Sequence, residues 1–128
     1  MDDRTLIGRA TRARERAYAP YSGYRVGAAV LTGSGRTFAA ANIENASYGL
    51  TVCAERAAVI KAISEGETDL RVLAVVTEDG ATPCGACRQF LAEFGTGIRI
   101  LIADSAGTVR ETTLAALLPE AFDLPEPE

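Results

Sequence analysis

The segment Leu70 to Thr77 is a near-continuous apolar run, with Val72, Leu73, Ala74, Val75 and Val76 in unbroken succession. A strand that alternates can leave one face in water, but a strand apolar at nearly every position needs cover on both faces. The run Val26-Gly27-Ala28-Ala29-Val30-Leu31 makes the same demand. The chain must therefore supply helices for two faces of one sheet. Residues 3–18 read as a helix ended by Pro20, with Leu6, Ala10, Ala13 and Ala17 on one face and Arg9, Arg12 and Arg16 off it. Residues 52–64 read as a second helix, apolar nearly all round and hence buried. Residues 85–94 give a third, and residues 114–118 a last helical turn before Pro119. Strands are expected at 24–32 and 37–43, joined by the hairpin turn Gly33-Ser34-Gly35, then at 70–77, 98–103 and 108–112. The sum is an α/β fold: a three-layer α/β/α sandwich, with helices on both faces of a five-stranded mixed sheet. At 128 residues, 48% of them hydrophobic, the chain can build one core without disulfide staples. Residues 1–124 are expected to form a single domain, and 125–128, Pro-Glu-Pro-Glu, a disordered tail.

Charge narrows the partners. Thirteen Lys and Arg stand against 17 Asp and Glu, a net charge of −4. Proteins that track a phosphate backbone do so with Lys and Arg that displace counterions, so no nucleic-acid partner is expected. The start Met1-Asp2-Asp3-Arg4 lacks the apolar stretch of a signal peptide, and no apolar run is long enough to span a membrane. A cytoplasmic chain with no membrane partner is the expectation.

The chain has no histidine, so no imidazole can act as base, nucleophile or metal ligand. It has three cysteines, an odd number that argues against a disulfide framework. Cys84 and Cys87 form a C-x-x-C in Pro83-Cys84-Gly85-Ala86-Cys87 at a helix start, and Cys53 opens the second helix. Helix amino ends present unpaired N–H groups and a positive dipole end, which favour thiolates. Three thiolates on zinc leave a fourth tetrahedral position open, as catalytic rather than structural sites do. The competing reading of C-x-x-C is a thioredoxin-like redox pair, which would need neither Cys53 nor Glu55. Glu55 lies two residues past Cys53, on the first turn of a helix rich in alanine. A carboxylate there can take a proton from water and pass it on. Arg56 reads as a donor to cysteine sulfur behind the metal, offsetting the net −1 of three thiolates on Zn²⁺.

Cys53-Ala54-Glu55 followed by Pro83-Cys84-Gly85-Ala86-Cys87 resembles the [HC]-x-E…P-C-x-x-C signature of zinc nucleobase and nucleoside deaminases. Five further segments narrow the match. Tyr18-Ala19-Pro20-Tyr21-Ser22, Val26-Gly27-Ala28-Ala29, Asn42-Ile43-Glu44-Asn45-Ala46-Ser47-Tyr48, Cys84-Gly85-Ala86-Cys87-Arg88-Gln89 and Leu117-Leu118-Pro119-Glu120-Ala121-Phe122 follow the order seen in the small homotetrameric cytidine deaminases. The resemblance runs from about residue 5 to 122 and implies the cytidine deaminase-like sandwich.

It also implies roles. Cys53, Cys84 and Cys87 would hold one Zn²⁺ per chain, with Glu55 as proton shuttle. Asn42 and Glu44 resemble a pair that hydrogen-bonds the ribose 3′-hydroxyl, within a nucleoside-binding segment that includes Asn45, Ser47 and Tyr48. Tyr24 stands where the family usually has Phe, stacking on the pyrimidine. Ala54 would offer its backbone N–H to the pyrimidine carbonyl, and Phe122 would cover the base from a neighbouring subunit of a homotetramer. The implied reaction is hydrolytic deamination of free cytidine and deoxycytidine in pyrimidine salvage. Three departures stand out: Tyr24 for Phe, Ala40-Ala41 where Gly and Cys are frequent, and a short loop from Glu78 to Thr82. Rival readings are a tRNA-editing type of deaminase, which the acidic charge disfavours, and a blasticidin-type aminonucleoside deaminase, which should lack Asn42-Ile43-Glu44-Asn45. A non-catalytic zinc module would have no need of Glu55.

Overall fold

A computed structural model describes residues 1–124; the tail expected at 125–128 lies outside the described residues. Five strands form one sheet: β1 (Gly27–Thr32), β2 (Thr37–Ala41), β3 (Leu70–Val76), β4 (Arg99–Ala103) and β5 (Val109–Thr113). Their spatial order is β2-β1-β3-β4-β5. Only β3 and β4 pair in parallel; the other neighbours are antiparallel. A parallel pair needs a long crossover, and here it carries α3 (Gly85–Ala92).

The apolar run of β3 is covered on both faces, as its composition requires. One face packs Ala29, Val72, Ala74, Val76, Leu101 and Ala103 under Leu6 and Ala10 of α1 (Asp3–Arg14). The other packs Ala28, Val30, Leu73, Val75, Ile100 and Ile102 under α2 (Ala54–Ser64), α3 and the short α4 (Leu114–Leu117). Helices on both sides of a five-stranded mixed sheet complete the α/β/α sandwich. Among the described residues no helix is long and apolar enough to cross a membrane.

Helix α1 is shorter than its sequence suggests. Asp2 caps its start, with Oδ1 accepting from Thr5 N at 2.8 Å. It stops at Arg14, well before Pro20, leaving Ala17 beyond its end and Ala13 only half-buried. The cause is long-range. Tyr18 N donates to Asn42 O at 3.0 Å and Glu44 N donates to Tyr18 O at 2.8 Å, so a bridge to the loop after β2 draws the chain off the helical path. Gly27 is where α1 meets β1. A β-carbon there would lie 2.0 Å from the Ala10 carbonyl oxygen and 2.7 Å from Arg14 Cβ, so only glycine admits the helix at this distance.

Helix α2 begins at Ala54 rather than Val52. Val52 exchanges two hydrogen bonds of 2.9 Å with Ile43, which holds it extended. The helix is not buried all round either. Ala54, Ala58 and Ala62 lie flat on the core, but Ile60 is 47% exposed. The exposed Lys61 reaches the sheet edge, donating from Nζ to Ala39 O at 2.6 Å.

Candidate active site

The antiparallel bridge between Ile43 and Val52 delivers Cys53 to the start of α2, and the end of β3 leads through 77–83 to the start of α3. Both helices begin on a cysteine. Cys53 is the N-cap of α2 and Cys84 the N-cap of α3, each with no side-chain capping bond; Cys87 lies in the first turn of α3. Two helix amino ends thus meet around three sulfurs, which suits thiolates. The three Sγ atoms lie within 4.8 Å of one another, with Cys53 and Cys84 at 3.9 Å. At the usual Zn–S bond of about 2.3 Å, a tetrahedral edge is about 3.8 Å. Three soft donors near that spacing, with no fourth Cys or His in the chain, fit zinc with one position left for a reactant. Cys87 is fully buried, Cys53 partly buried and Cys84 exposed, so the cluster is open on one side.

Electrostatics separates the sulfurs. The neighbouring Cys87 thiol lowers the Cys53 pKa, with Arg56 and Cys84 adding to the effect against the cost of burial. Cys87 is pushed up by its bond to Cys53 and by burial. Arg56 Nη2 donates to Thr51 O at 3.2 Å and reaches Cys53 Sγ at 3.8 Å, and its buried Nε has no partner among the described residues. The guanidinium therefore stands behind the cluster. Glu55 is only 4% exposed, and burial followed by the charge of Cys53 raises its carboxyl to about 7. A carboxyl that titrates near neutrality can both take and give a proton.

The segment 42–48 is tightly tied to its own chain. Asn42 is buried; Oδ1 accepts from Val26 N at 2.9 Å and Nδ2 donates to Tyr24 O at 2.8 Å. Glu44 accepts from Tyr21 N at 2.9 Å and Ser22 N at 3.1 Å through Oε1, and from the Ser22 hydroxyl through Oε2. These bonds hold its pKa below the ordinary value. Asn45 Oδ1 accepts from Ser47 N at 2.9 Å, and Asn45 N donates to Thr51 Oγ1 at 3.2 Å. Ser47 precedes a 3₁₀ turn (Tyr48–Leu50), on which Tyr48 is 79% exposed. Ala54, the first residue of α2, places its N–H at the helix's amino end beside the cysteines.

Four residues without an assigned role in the sequence belong to this neighbourhood. Tyr24 Oη donates to Asp79 Oδ1 at 2.6 Å, so the hydroxyl that departs from the family's usual Phe finds its partner in the short loop. Thr77 closes that loop, its hydroxyl accepting from Gly80 N and Ala81 N at 2.8 and 2.9 Å. The signal for both was a Thr ending an apolar run just before Asp79-Gly80, a turn pair. Arg88 donates to Pro83 O, Thr82 Oγ1 and Leu117 O at 2.8–2.9 Å, clamping the C-terminal segment to the loop before Cys84. Gln89 Nε2 donates to Phe122 O at 3.1 Å, while Phe122 itself is 70% exposed. A concavity of about 670 Å³ lies elsewhere, along β2 between α1 and α2, lined by Arg9, Arg12 and Lys61 among others. It includes none of the cysteines, so volume is no guide to the chemistry here.

Residues 1–103 match the family model described as the cytidine and deoxycytidylate deaminase zinc-binding region. The chain is 50% identical over 125 residues to a cytidine deaminase of Halalkalibacterium halodurans, covering 95% of each protein. It is 48% identical to that of Sporosarcina psychrophila, covering 95% of this chain and 92% of the relative. The fold is similar to the crystal structure of cytidine deaminase from Burkholderia pseudomallei, with a TM-score of 0.92 and 45% identity over 95% of this chain and all of that one. Likeness in sequence and in backbone thus runs along nearly the whole length, through the segments that gather the three sulfurs, and the chain belongs to the cytidine deaminase family.

Proposed function

We propose that this enzyme hydrolyses free cytidine and deoxycytidine to uridine and deoxyuridine with release of ammonia, using one zinc ion per chain held by Cys53, Cys84 and Cys87. The observation that carries the reading is the convergence of three sulfurs within 4.8 Å beside a carboxyl raised to about 7. When bound, the zinc supplies Lewis acidity that makes water a nucleophile at neutral pH. The chain's own work is positioning and proton transfer. Glu55 takes a proton from the water that attacks C4 and delivers it to ring N3, then takes the remaining proton of the hydroxyl added at C4 and delivers it to the departing amine as the C4–N bond breaks. Cytidine and water are consumed; uridine and ammonia leave.

Tyr24 stacks on the pyrimidine, and the Ala54 N–H binds its carbonyl. Asn42 and Glu44 bind the 3′-hydroxyl, which for Glu44 means sharing or exchanging the bonds it makes to Tyr21 and Ser22. Asn45 and Ser47 shape that segment. Tyr48 and Phe122, both strongly exposed, fit residues that cover a neighbour's site in a homotetramer. Residues 1–124 act as one catalytic domain in cytoplasmic pyrimidine salvage. Metal analysis together with the fall in ultraviolet absorbance of cytidine and deoxycytidine tests the reading. One zinc per chain and turnover abolished by a chelator are expected. A zinc-loaded protein inactive on both nucleosides would overturn it.

A further inference from the structure

Tyr24 and Asp79 are 55 residues apart in sequence, yet the phenol hydroxyl donates to the Asp79 carboxylate at 2.6 Å. Each partner is fixed independently of this bond. The Asp79 loop is closed by Thr77, whose hydroxyl accepts two backbone N–H groups and lies 3.3 Å from Asp79 Oδ1 as donor. That uses the full capacity of a hydroxyl, one donor and two acceptors. The Tyr24 backbone is held on both sides, its N–H by Ser22 Oγ at 2.9 Å and its carbonyl by Asn42 Nδ2 at 2.8 Å. What these contacts leave free is the swing of the Tyr24 ring about its two side-chain torsions. The bond to Asp79 pins the phenol oxygen and so stops the swing about Cα–Cβ; rotation about the ring's own axis, which passes through that oxygen, it does not block. It is charge-assisted, and so stronger than a neutral pair.

We propose that Asp79 is a positioning residue for the base: its carboxylate fixes the Tyr24 ring before substrate arrives, so that the pyrimidine meets a face already in place. The inference rests on the reading of Tyr24 as the stacking residue. Ordering done in advance is not charged against binding, so the bond acts on affinity rather than on the chemical step. Asp79 does not touch the reacting atoms. The loop it sits on is secured by Thr77, so its removal leaves the cysteines in place.

The test uses the zinc-loaded enzyme and the variants Tyr24→Phe, Asp79→Ala, Asp79→Asn and the double variant Tyr24→Phe/Asp79→Ala. Each of Tyr24→Phe and Asp79→Ala should raise KM for cytidine by about 3- to 10-fold. In Asp79→Ala the turnover number should stay near wild type, and zinc content should stay near wild type in both. The double variant should be no worse than the poorer single one, and Asp79→Asn, which keeps an acceptor, should recover part of the loss. Additive losses, or a wild-type KM in Asp79→Ala, overturn the proposal. A second readout is independent of turnover: the χ1 rotamer population of Tyr24, from three-bond couplings of labelled tyrosine by NMR, with Tyr24 assigned through Tyr24→Phe. A single rotamer in wild type and averaging in Asp79→Ala are expected. Equal populations would overturn the positioning claim, whereas a single rotamer in a protein without deaminase activity would overturn only the functional reading.

Discussion

Arg56 Nη2 lies 3.8 Å from Cys53 Sγ, one helical turn along α2, while Nε of the same guanidinium is buried without a partner among the described residues. Among the described residues, the partners of this cation are thus the Cys53 sulfur and Thr51 O. Groups that hydrogen-bond a metal ligand commonly tune affinity by about 10- to 100-fold. Arg56→Ala is expected to weaken zinc binding by about that factor. Competition against a chromophoric chelator measures it directly, and unchanged affinity would remove Arg56 from the metal site.

Glu55→Gln should keep the fold and the zinc but lose turnover. The amide preserves shape and suits a buried position, yet it cannot shuttle a proton. Positioned acid–base groups are worth about 10²- to 10⁴-fold, and a loss in that range is expected for cytidine. Near-normal turnover with full zinc would assign the shuttle to another group.

Glu44 gives a pH dependence with a definite sign. Its folded-state pKa lies below the ordinary 4.5, chiefly because the Ser22 hydroxyl donates to it. Its contribution to stability is therefore complete above the ordinary value and is lost as pH falls through the lowered one. Glu44→Gln accepts through only one oxygen and should be less stable than wild type near neutral pH. Denaturant midpoints measured at neutral pH and again below the ordinary carboxylate range should converge. A gap that persists undiminished in acid would mean the charge of Glu44 contributes nothing.

Phe122 and Tyr48 are 70% and 79% exposed, values unusual for large aromatics that serve only their own chain. Sedimentation of the active enzyme should give about four times the 13.5 kDa chain mass. Phe122→Ala should lower activity while zinc content stays at the wild-type level. A fully active monomer at assay concentration would show that one chain completes its own site.

The layers and the cysteine cluster were legible because short-range signals carry them. An apolar run, a turn pair, and cysteines at helix starts each speak within a few residues. The misjudged elements were decided by distant partners. Residues 15–18 have good helix formers, but Tyr18 is claimed by Asn42 and Glu44 across the chain. Val52 has the pattern of a helix start, but Ile43 holds it as a strand. Asp79 reads as an ordinary turn residue, and its bond to Tyr24 spans 55 residues that no local window contains. Asn42 and Glu44 were recognisable only by resemblance, and their engagement with the Val26, Tyr21 and Ser22 N–H groups needed the fold to be seen.

At Gly27 the Ala10 carbonyl stands close to where a β-carbon would be, so the gap between α1 and the sheet is set by a missing methyl group. Helix α1 holds none of the candidate site residues, yet the Val26 N–H gripped by Asn42 and the backbone of Tyr24 lie within three positions of that contact. In a lineage of such chains this makes an uneven map of permitted change. Arg4, exposed near the start of α1, can drift in identity and charge with little effect on the rest of the molecule. Position 27 has no neighbouring step open to it: even alanine would lever the helix outward, and the segment that carries Tyr24 would move with it.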